Sequence, residues 1–458
     1  MQPILPLSSS YRDNAGFVFA DGRKFYRCIN ECYFPFYDML LQSGLYDELT
    51  IAGRLIPHEE VSNSYFPGSA SRKIILPEQI PFISYPYEWP FDMWRDAAIV
   101  TLKIMQVAMG KGMILKDATP FNIQFYKGRP VFIDTLSFIK YEAGRPWIAY
   151  RQFCESFLGP LLLMHYGHRD MGKLFIAFPD GIPLQVIKEL LPVRAKFNVH
   201  VYMHIQLQES MSRKKNNTEK PAKTFTKEKL IVLIQGLLDL VTSLRQKENR
   251  SVWDNYYSET ILGDDYLVSK DKIIRGFTEA VPFKNVIDLG ANDGHFSFLL
   301  KDKATNIISV DFDSNCINAL YREIRKNRIK NIIPLVSSFN APSPAIGWNN
   351  SERPALTERL KGDLILALAL VHHLAISVNV PLAAIAEWLL QMGPYLVIEF
   401  IPKSDEKVKE LLLHREDIFT QHNPEQFKIS FAMYYDILQE QKVGNTDRIL
   451  FLMQRKSQ

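Results

Sequence analysis

The stretch Asn285-Val-Ile-Asp288-Leu-Gly290-Ala-Asn292-Asp293-Gly294-His-Phe296 joins an apolar run ending in an acid to two glycines, and the apolar segment Phe296-Ser-Phe-Leu-Leu300 follows. The order predicts a strand, a tight turn and a helix start. Gly290 and Gly294 let backbone approach a ligand where a Cβ would collide, and a helix beginning near Gly294 would turn unpaired N–H groups towards that ligand. A second apolar run, Asn306-Ile-Ile-Ser-Val310-Asp311, also ends in an acid, 23 residues after Asp288. A carboxylate in that place can accept both hydroxyls of a ribose. Either acid alone could equally cap a helix, but the two in this order and spacing favour a nucleoside ligand.

The type of nucleoside follows from charge. Neither G-x-x-x-x-G-K nor G-x-G-x-x-G is present, so a phosphate cradle is not indicated. Asp288 beside a glycine turn suits a cationic group instead, and S-adenosylmethionine carries an ammonium and a sulfonium. Further along, Leu366-Ala-Leu-Ala-Leu-Val-His372-His373-Leu374 sets two imidazoles after another apolar run. A neutral imidazole there could take a proton from an attacking hydroxyl or amine, or could simply pack.

These residues need a scaffold, and the alternation from residue 270 onward supplies one. Strands are expected near 285–289, 307–311, 331–336, 363–369 and 395–400, separated by helical or loop segments, which predicts a parallel sheet covered on both faces. Tyr434-Asp-Ile-Leu-Gln-Glu-Gln-Lys, a Gly444-Asn445 turn and Arg448-Ile-Leu-Phe-Leu-Met then predict a terminal antiparallel hairpin. Open sheets of this kind bind ligands at the carboxyl ends of their strands, where Asp288, Asp311 and the residues after Leu370 would gather.

The first half carries a different constellation. Asp21-Gly22 between apolar runs predicts a hairpin, the segment from Glu31 past Pro35 a helix, and Phe91 to Met109 a buried helix. Leu115-Lys116-Asp117-Ala-Thr-Pro-Phe-Asn122 is followed by Gly128-Arg-Pro-Val-Phe-Ile-Asp134. An Asp, an Asn five residues later and a second Asp after a short hairpin is the order of a protein-kinase catalytic loop and metal-binding strand. The departures are as clear: H-R-D reads Leu115-Lys116-Asp117, D-F-G reads Asp134-Thr-Leu, and neither a glycine-rich loop nor a strand lysine is evident before Ile80. Asp117 and Asn122 forming a turn, with Asp134 as a cap, is the competing reading.

With 458 residues, 47% hydrophobic and 23% charged, the chain has the composition of a soluble globular protein of two or three domains. A net charge of +4 is too small to argue for nucleic-acid binding. No stretch approaches the ~20 apolar residues that cross a bilayer, and the N-terminus lacks a secretory pattern, so the cytoplasm is the expected location. Cys28, Cys32, Cys154 and Cys316 form neither a disulfide framework nor a zinc pattern, and His165, His168 and Asp170 lack a further placed ligand. The expected organisation is an α+β kinase-like domain at 1–209, a basic linker at 210–229, a helical and aromatic connector at 230–269 and an α/β domain at 270–458. The connector includes Trp253, Tyr256 and Tyr257, which could close over a cofactor or could be ordinary packing.

Asp288-Leu-Gly-Ala-Asn-Asp-Gly294, Val310-Asp311-Phe312-Asp313 and the terminal hairpin resemble a class I S-adenosylmethionine-dependent methyltransferase over roughly the last 200 residues. A narrower resemblance, to the nodulation-protein NoeA-like methyltransferases, is carried by Pro342-Ser-Pro-Ala-Ile-Gly-Trp348, by Leu366 to Ser377, by Ile398-Glu399-Phe-Ile-Pro-Lys403 and by Arg415-Glu-Asp-Ile-Phe419. The resemblance implies a doubly wound Rossmann-like sheet and S-adenosylmethionine as cofactor. It puts Asp288, Gly290 and Gly294 at the methionine end, Asp311 at the ribose, Asn292 and Phe312 among the cofactor-binding residues, and Ser338 and Phe339 where an adenine-side acid often stands. His372 or His373 would be the base, no metal is required, and the acceptor is an O or N nucleophile on a carbohydrate, small molecule or protein. A non-catalytic scaffold, or a bifunctional enzyme with a phosphotransferase first half, are the rival readings. Oligomeric state is left open.

Overall fold

The computed structural model describes residues 6–22, 24–62, 72–209, 225–246, 264–413 and 415–457. Most of the expected basic linker, and Trp253, Tyr256 and Tyr257 of the connector, lie outside the described residues. The chain divides into two compact units: Met1–Lys247 with Ala345–Pro354, and Glu248–Pro344 with Ala355–Gln458.

In the first unit, β1 (Gly16–Asp21) and β2 (Lys24–Ile29) form the expected hairpin, with Gly22 at φ +60°. With β3 (His58–Val61) and β4 (Lys73–Pro77) they make an antiparallel sheet of order β1-β2-β4-β3. Helix α1 (Phe34–Gln42) begins with Pro35 in its first turn, where a missing N–H costs nothing. Helix α2 (Phe91–Gly110) is buried along most of its length, including Trp94, Ala98, Leu102 and Met105. Short pairs follow: β5 (Met113–Leu115) with β8 (Phe138–Lys140), and β6 (Ile123–Tyr126) with β7 (Arg129–Phe132). Lys127 and Gly128, both at positive φ, make the two-residue turn of the β6–β7 hairpin.

The boundary expected at 230 is corrected by packing. Phe225 bridges to Gly144, Thr226 caps helix α3 (Lys227–Ser243), and α3 lays Leu230, Ile234, Leu237 and Val241 into the first unit against α2. Residues 225–243 are therefore neither linker nor connector, because an apolar helix face needs a partner to bury it.

A second correction concerns Ala345–Pro354. These residues lie in the expected α/β domain yet group with the first unit. There the Glu352 carboxylate accepts hydrogen bonds from the Tyr11 hydroxyl (2.7 Å), the Arg12 guanidinium (2.7 Å) and the Trp348 N–H (3.0 Å). The Arg353 guanidinium stacks 3.7 Å from the Phe121 ring centre.

The second unit starts with α4 (Asp264–Glu279), followed by β9 (Asn285–Leu289), α5 (His295–Leu300), β10 (Asn306–Asp311), α6 (Ser314–Lys326) and β11 (Ile332–Val336). It continues through β12 (Leu364–Ala367), α7 (Leu382–Leu390), β13 (Tyr395–Phe400), α8 (Glu406–Leu412) and α9 (Pro424–Ala432) to the hairpin β14 (Tyr435–Lys442) and β15 (Ile449–Arg455). The sheet order is β11-β10-β9-β12-β13-β15-β14, parallel through β13 and antiparallel in the last two strands. β9, β10, β11, β12 and β13 are buried on both faces and largely apolar, as a doubly covered sheet requires, with Asp288, Ser309, Asp311 and Glu399 as buried polar exceptions. The fourth parallel strand ends at Ala367, before the expected 369: Ala369 adopts φ +52°, which takes its backbone out of the ladder.

Candidate functional site

The turn after β9 is built by three left-handed residues, Gly290 (φ +77°), Asn292 (φ +50°) and Gly294 (φ +88°). The two glycines have different reasons to be glycine. A Cβ on Gly294 would meet Leu320 Cδ1 of α6 at 2.5 Å, so this glycine permits close helix packing. A Cβ on Gly290 would meet nothing nearer than 3.7 Å, so there the left-handed φ alone favours glycine. The Gly290 and Ala291 N–H groups both donate to the Val310 carbonyl, which ties this turn to the end of β10.

Asp311 closes the other side. One carboxylate oxygen accepts the Asn292 N–H and the other the Asp313 N–H, each at 2.9 Å. Burial nonetheless pushes the Asp311 pKa up to about 6 against the pull of those two N–H groups. A carboxylate oxygen holds two lone pairs, so both oxygens keep acceptor capacity for a ligand.

Between these turns lies a cavity of about 340 Å³. Its walls at the ends of β9, β10 and β11 are Gly290, Asn292, Asp311, Phe312, Ser338, Phe339 and Asn340. At the end of β12 they are Leu368, Ala369, Leu370, His373 and Leu374, with Ser377, Val378 and, from α8, Leu411. The cavity therefore sits at the carboxyl ends of parallel strands, where such sheets bind ligands.

Of the ten site residues expected from sequence, seven line the cavity: Gly290, Asn292, Asp311, Phe312, Ser338, Phe339 and His373. Asp288, Gly294 and His372 do not. Asp288 is buried behind the turn, where its carboxylate accepts the Ser297 hydroxyl at 2.6 Å and burial pushes its pKa up to about 6. Its side chain is turned towards Ser297 of α5 rather than into the cavity. His372 is fully buried, and among the described residues neither ring nitrogen has a hydrogen-bond partner. The two rings lie 4.1 Å apart, but only His373 reaches the cavity, and burial lowers its pKa to about 4. Its imidazole is neutral across the ordinary pH range.

Sequence reasoning missed Asn340, Ser377, Leu411 and the backbone at Leu368 to Leu370. Leu411 comes from a helix remote in sequence and carries no local signal. Glu399 did leave a signal, an acid within the apolar run Tyr395–Phe400, and the structure buries it completely.

In the first unit, Asp117, Asn122 and Asp134 do come near one another. The Asp134 carboxylate is ion-paired with Arg27 and lies 3.5 Å from the Asn122 amide nitrogen, while Asp117 is half-buried with its pKa raised by burial and by Asp134. Asp134 also caps the turn that follows it. Among the described residues no group of three or more His, Cys, Asp or Glu side chains is placed to hold a metal ion. His165 instead contacts the Arg245 carbonyl, and His168 caps the turn at Asp170.

The strand order, the terminal antiparallel hairpin and the cavity over the carboxyl ends define the second unit as a Rossmann-like domain of the class I methyltransferase fold. No family model matches the chain. It is 31% identical over 461 residues to nodulation protein NoeA of Rhizobium meliloti (strain 1021), a match covering 98% of this chain and 96% of that one. The chain belongs to the NoeA family. Among solved structures it is similar to N-methyltransferase NodS from Bradyrhizobium japonicum WM9 in complex with S-adenosyl-l-homocysteine, at 11% identity over 46% of this chain and 94% of that one, TM-score 0.34. A SAM-dependent methyltransferase from Aquifex aeolicus matches at 17% identity over 43% of this chain and 91% of that one, TM-score 0.29.

Proposed function

We propose that the second unit binds S-adenosylmethionine across the ends of β9 to β12 and transfers its methyl group to an uncharged O or N acceptor. The observation that carries this reading is Asp311, a carboxylate at the end of β10 that lines the cavity and is held by the Asn292 N–H of the glycine turn. Its oxygens suit the two ribose hydroxyls, Phe339 and Phe312 offer apolar faces for the base, and the backbone at Gly290 and Leu368 faces the methionine end. When bound, the cofactor supplies a methyl group already made electrophilic by its sulfonium.

The chain's own work is positioning, exclusion of water and proton removal. Leu370, Leu374, Val378 and Leu411 give the β12 side of the cavity an apolar wall, which keeps water from the reacting atoms. His373, neutral and facing the cavity, accepts at a ring nitrogen the proton that the acceptor's hydroxyl or amine loses as its new bond to carbon forms. The relative NoeA is by name a nodulation protein. The acceptor is carried on a carbohydrate, a small molecule or a protein. For the first unit we assign no phosphoryl transfer, since neither a glycine-rich phosphate loop nor a strand lysine is evident before Ile80.

Calorimetric titration with S-adenosylhomocysteine tests the reading. The wild-type chain should bind it, and Asp311→Ala should bind at least ~10-fold more weakly, the loss of one charge-assisted contact pair. Absence of both heat and thermal shift at saturating ligand would overturn the assignment. Labelled methyl transferred from the donor into one component of a cell extract would then identify the acceptor.

A further inference from the structure

The cavity wall at Ala369 is held from behind by a buried charge. Ala369 is neither glycine nor asparagine, yet it sits at φ +52°, a left-handed conformation that brings an alanine's Cβ too close to its own carbonyl oxygen. Something must pay for it. Its N–H donates at 2.9 Å to Glu399 Oε2, on the neighbouring strand β13. That same oxygen accepts Lys270 Nζ of α4 at 2.7 Å, and Oε1 accepts the Tyr266 hydroxyl at 2.7 Å. Arg448 extends the array, donating to the Tyr266 hydroxyl at 2.9 Å and to Asp405 at 2.8 and 3.0 Å. Lys270 and Glu399 are 1% and 0% exposed. With Lys270 and Arg448 beside it, the Glu399 carboxylate stays ionised despite its burial.

A buried ion pair is poor evidence for stability, because apolar residues of the same size usually serve as well. This one is aimed at a single strained peptide in the wall of the cavity. We propose that Glu399 is a positioning residue: by gripping the Ala369 N–H it fixes the Leu368-Ala369-Leu370 turn in the shape that receives the methyl donor. The proposal rests on the donor-binding reading above and adds a residue that never touches the ligand. Lys270 and Tyr266 hold the carboxylate in orientation, and the turn presents the Leu368 carbonyl and Leu370 side chain to the space beside Gly290.

The test uses the full chain and S-adenosylhomocysteine as the probe. Lys270→Met with Glu399→Met removes both charges without stranding either, and removes the acceptor for Ala369. Affinity should fall ~10-fold or more. Lys270→Met with Glu399→Gln keeps an oxygen at that place and should bind within about threefold of wild type. Ala369→Gly, added to the double-methionine variant, should restore most of the lost affinity, because glycine adopts the positive φ unaided. Structural loss alone would not be repaired by one added glycine. A folded double-methionine variant binding like wild type, a glutamine variant as weak as it, or no rescue by glycine would each overturn the proposal. Hydrogen exchange on the ligand-free wild type gives a readout that needs no variant: the Ala369 amide should exchange slowly, and unprotected exchange there would also overturn the clamp. If the wild type binds no probe, the donor reading fails, and the exchange measurement still judges the clamp.

Discussion

At the scale of single residues, the cavity separates side chains that resemble one another in sequence. Asp288 and Asp311 both end apolar strands, yet only Asp311 lines the cavity; His372 and His373 are adjacent, yet only His373 does. Residue type and spacing were legible at both pairs, but which member faces the ligand depends on how the backbone turns after the strand. Because the Asp311 pKa is raised to about 6, its carboxylate protonates as pH falls through that value. Affinity for S-adenosylhomocysteine should therefore be flat above pH 7 and about tenfold weaker at pH 5, where roughly a tenth of the group is ionised. In Asp311→Asn the affinity should be low and the dependence on pH smaller, reduced to what Asp288, also raised to about 6, contributes through the turn; calorimetry from pH 5 to 8 checks both. For His373, the neutral form persists down to about pH 4, and the same lowering makes it a weak base at pH 7. Initial rates of methyl transfer at saturating donor should change little from pH 6 to 8, and His373→Ala should lower turnover by up to about 100-fold, the low end for a positioned base because its lowered pKa weakens it.

At the scale of elements, the glycine turn and the strand ends decide what is scaffold and what is site. Gly294→Ala must accept both φ +88° and a clash with Leu320, so thermal or urea melts should show a loss of roughly 2–4 kcal/mol. Gly290→Ala, which meets no such clash, should cost nearer ~1 kcal/mol in the same measurement. The parallel strands were readable because runs buried on both faces are continuously apolar, and the Gly444 turn marked the closing hairpin. The end of β12 was not readable, since nothing local in Leu-Ala-Leu-Ala-Leu says where the ladder stops; the stop is enforced by Glu399, from another strand. Likewise α3 reads from sequence as any buried helix, and only its packing on α2 shows which unit it completes.

At the scale of the whole molecule, two compact units share one chain, and the first is completed by ten residues that come from within the sequence of the second. No contiguous pattern could announce this, because Glu352 finds Tyr11 and Arg12 across more than three hundred residues. Against the cost of burial, the Trp348 N–H, the Tyr11 hydroxyl and Arg12 hold the Glu352 pKa down to about 2. A depressed carboxylate stabilises the fold above its unfolded pKa and loses that contribution as pH falls towards 2. Glu352→Gln should then cost about 1–2 kcal/mol at pH 7, discounted for the exposure of Arg12, and the difference from wild type should shrink as pH falls from about 5 through 2 in urea melts. Among the described residues no helix is long and apolar enough to cross a membrane. The sheet order carries a kinetic consequence of its own. Strand β9 meets β10 soon after it in sequence but meets β12 only after β11 and the residues that follow it, so half of the cavity wall arrives by a late, long-range closure. A ligand spanning both halves has nothing to grip before that closure, and should slow unfolding while leaving the refolding rate unchanged; stopped-flow refolding with and without S-adenosylhomocysteine would display the asymmetry.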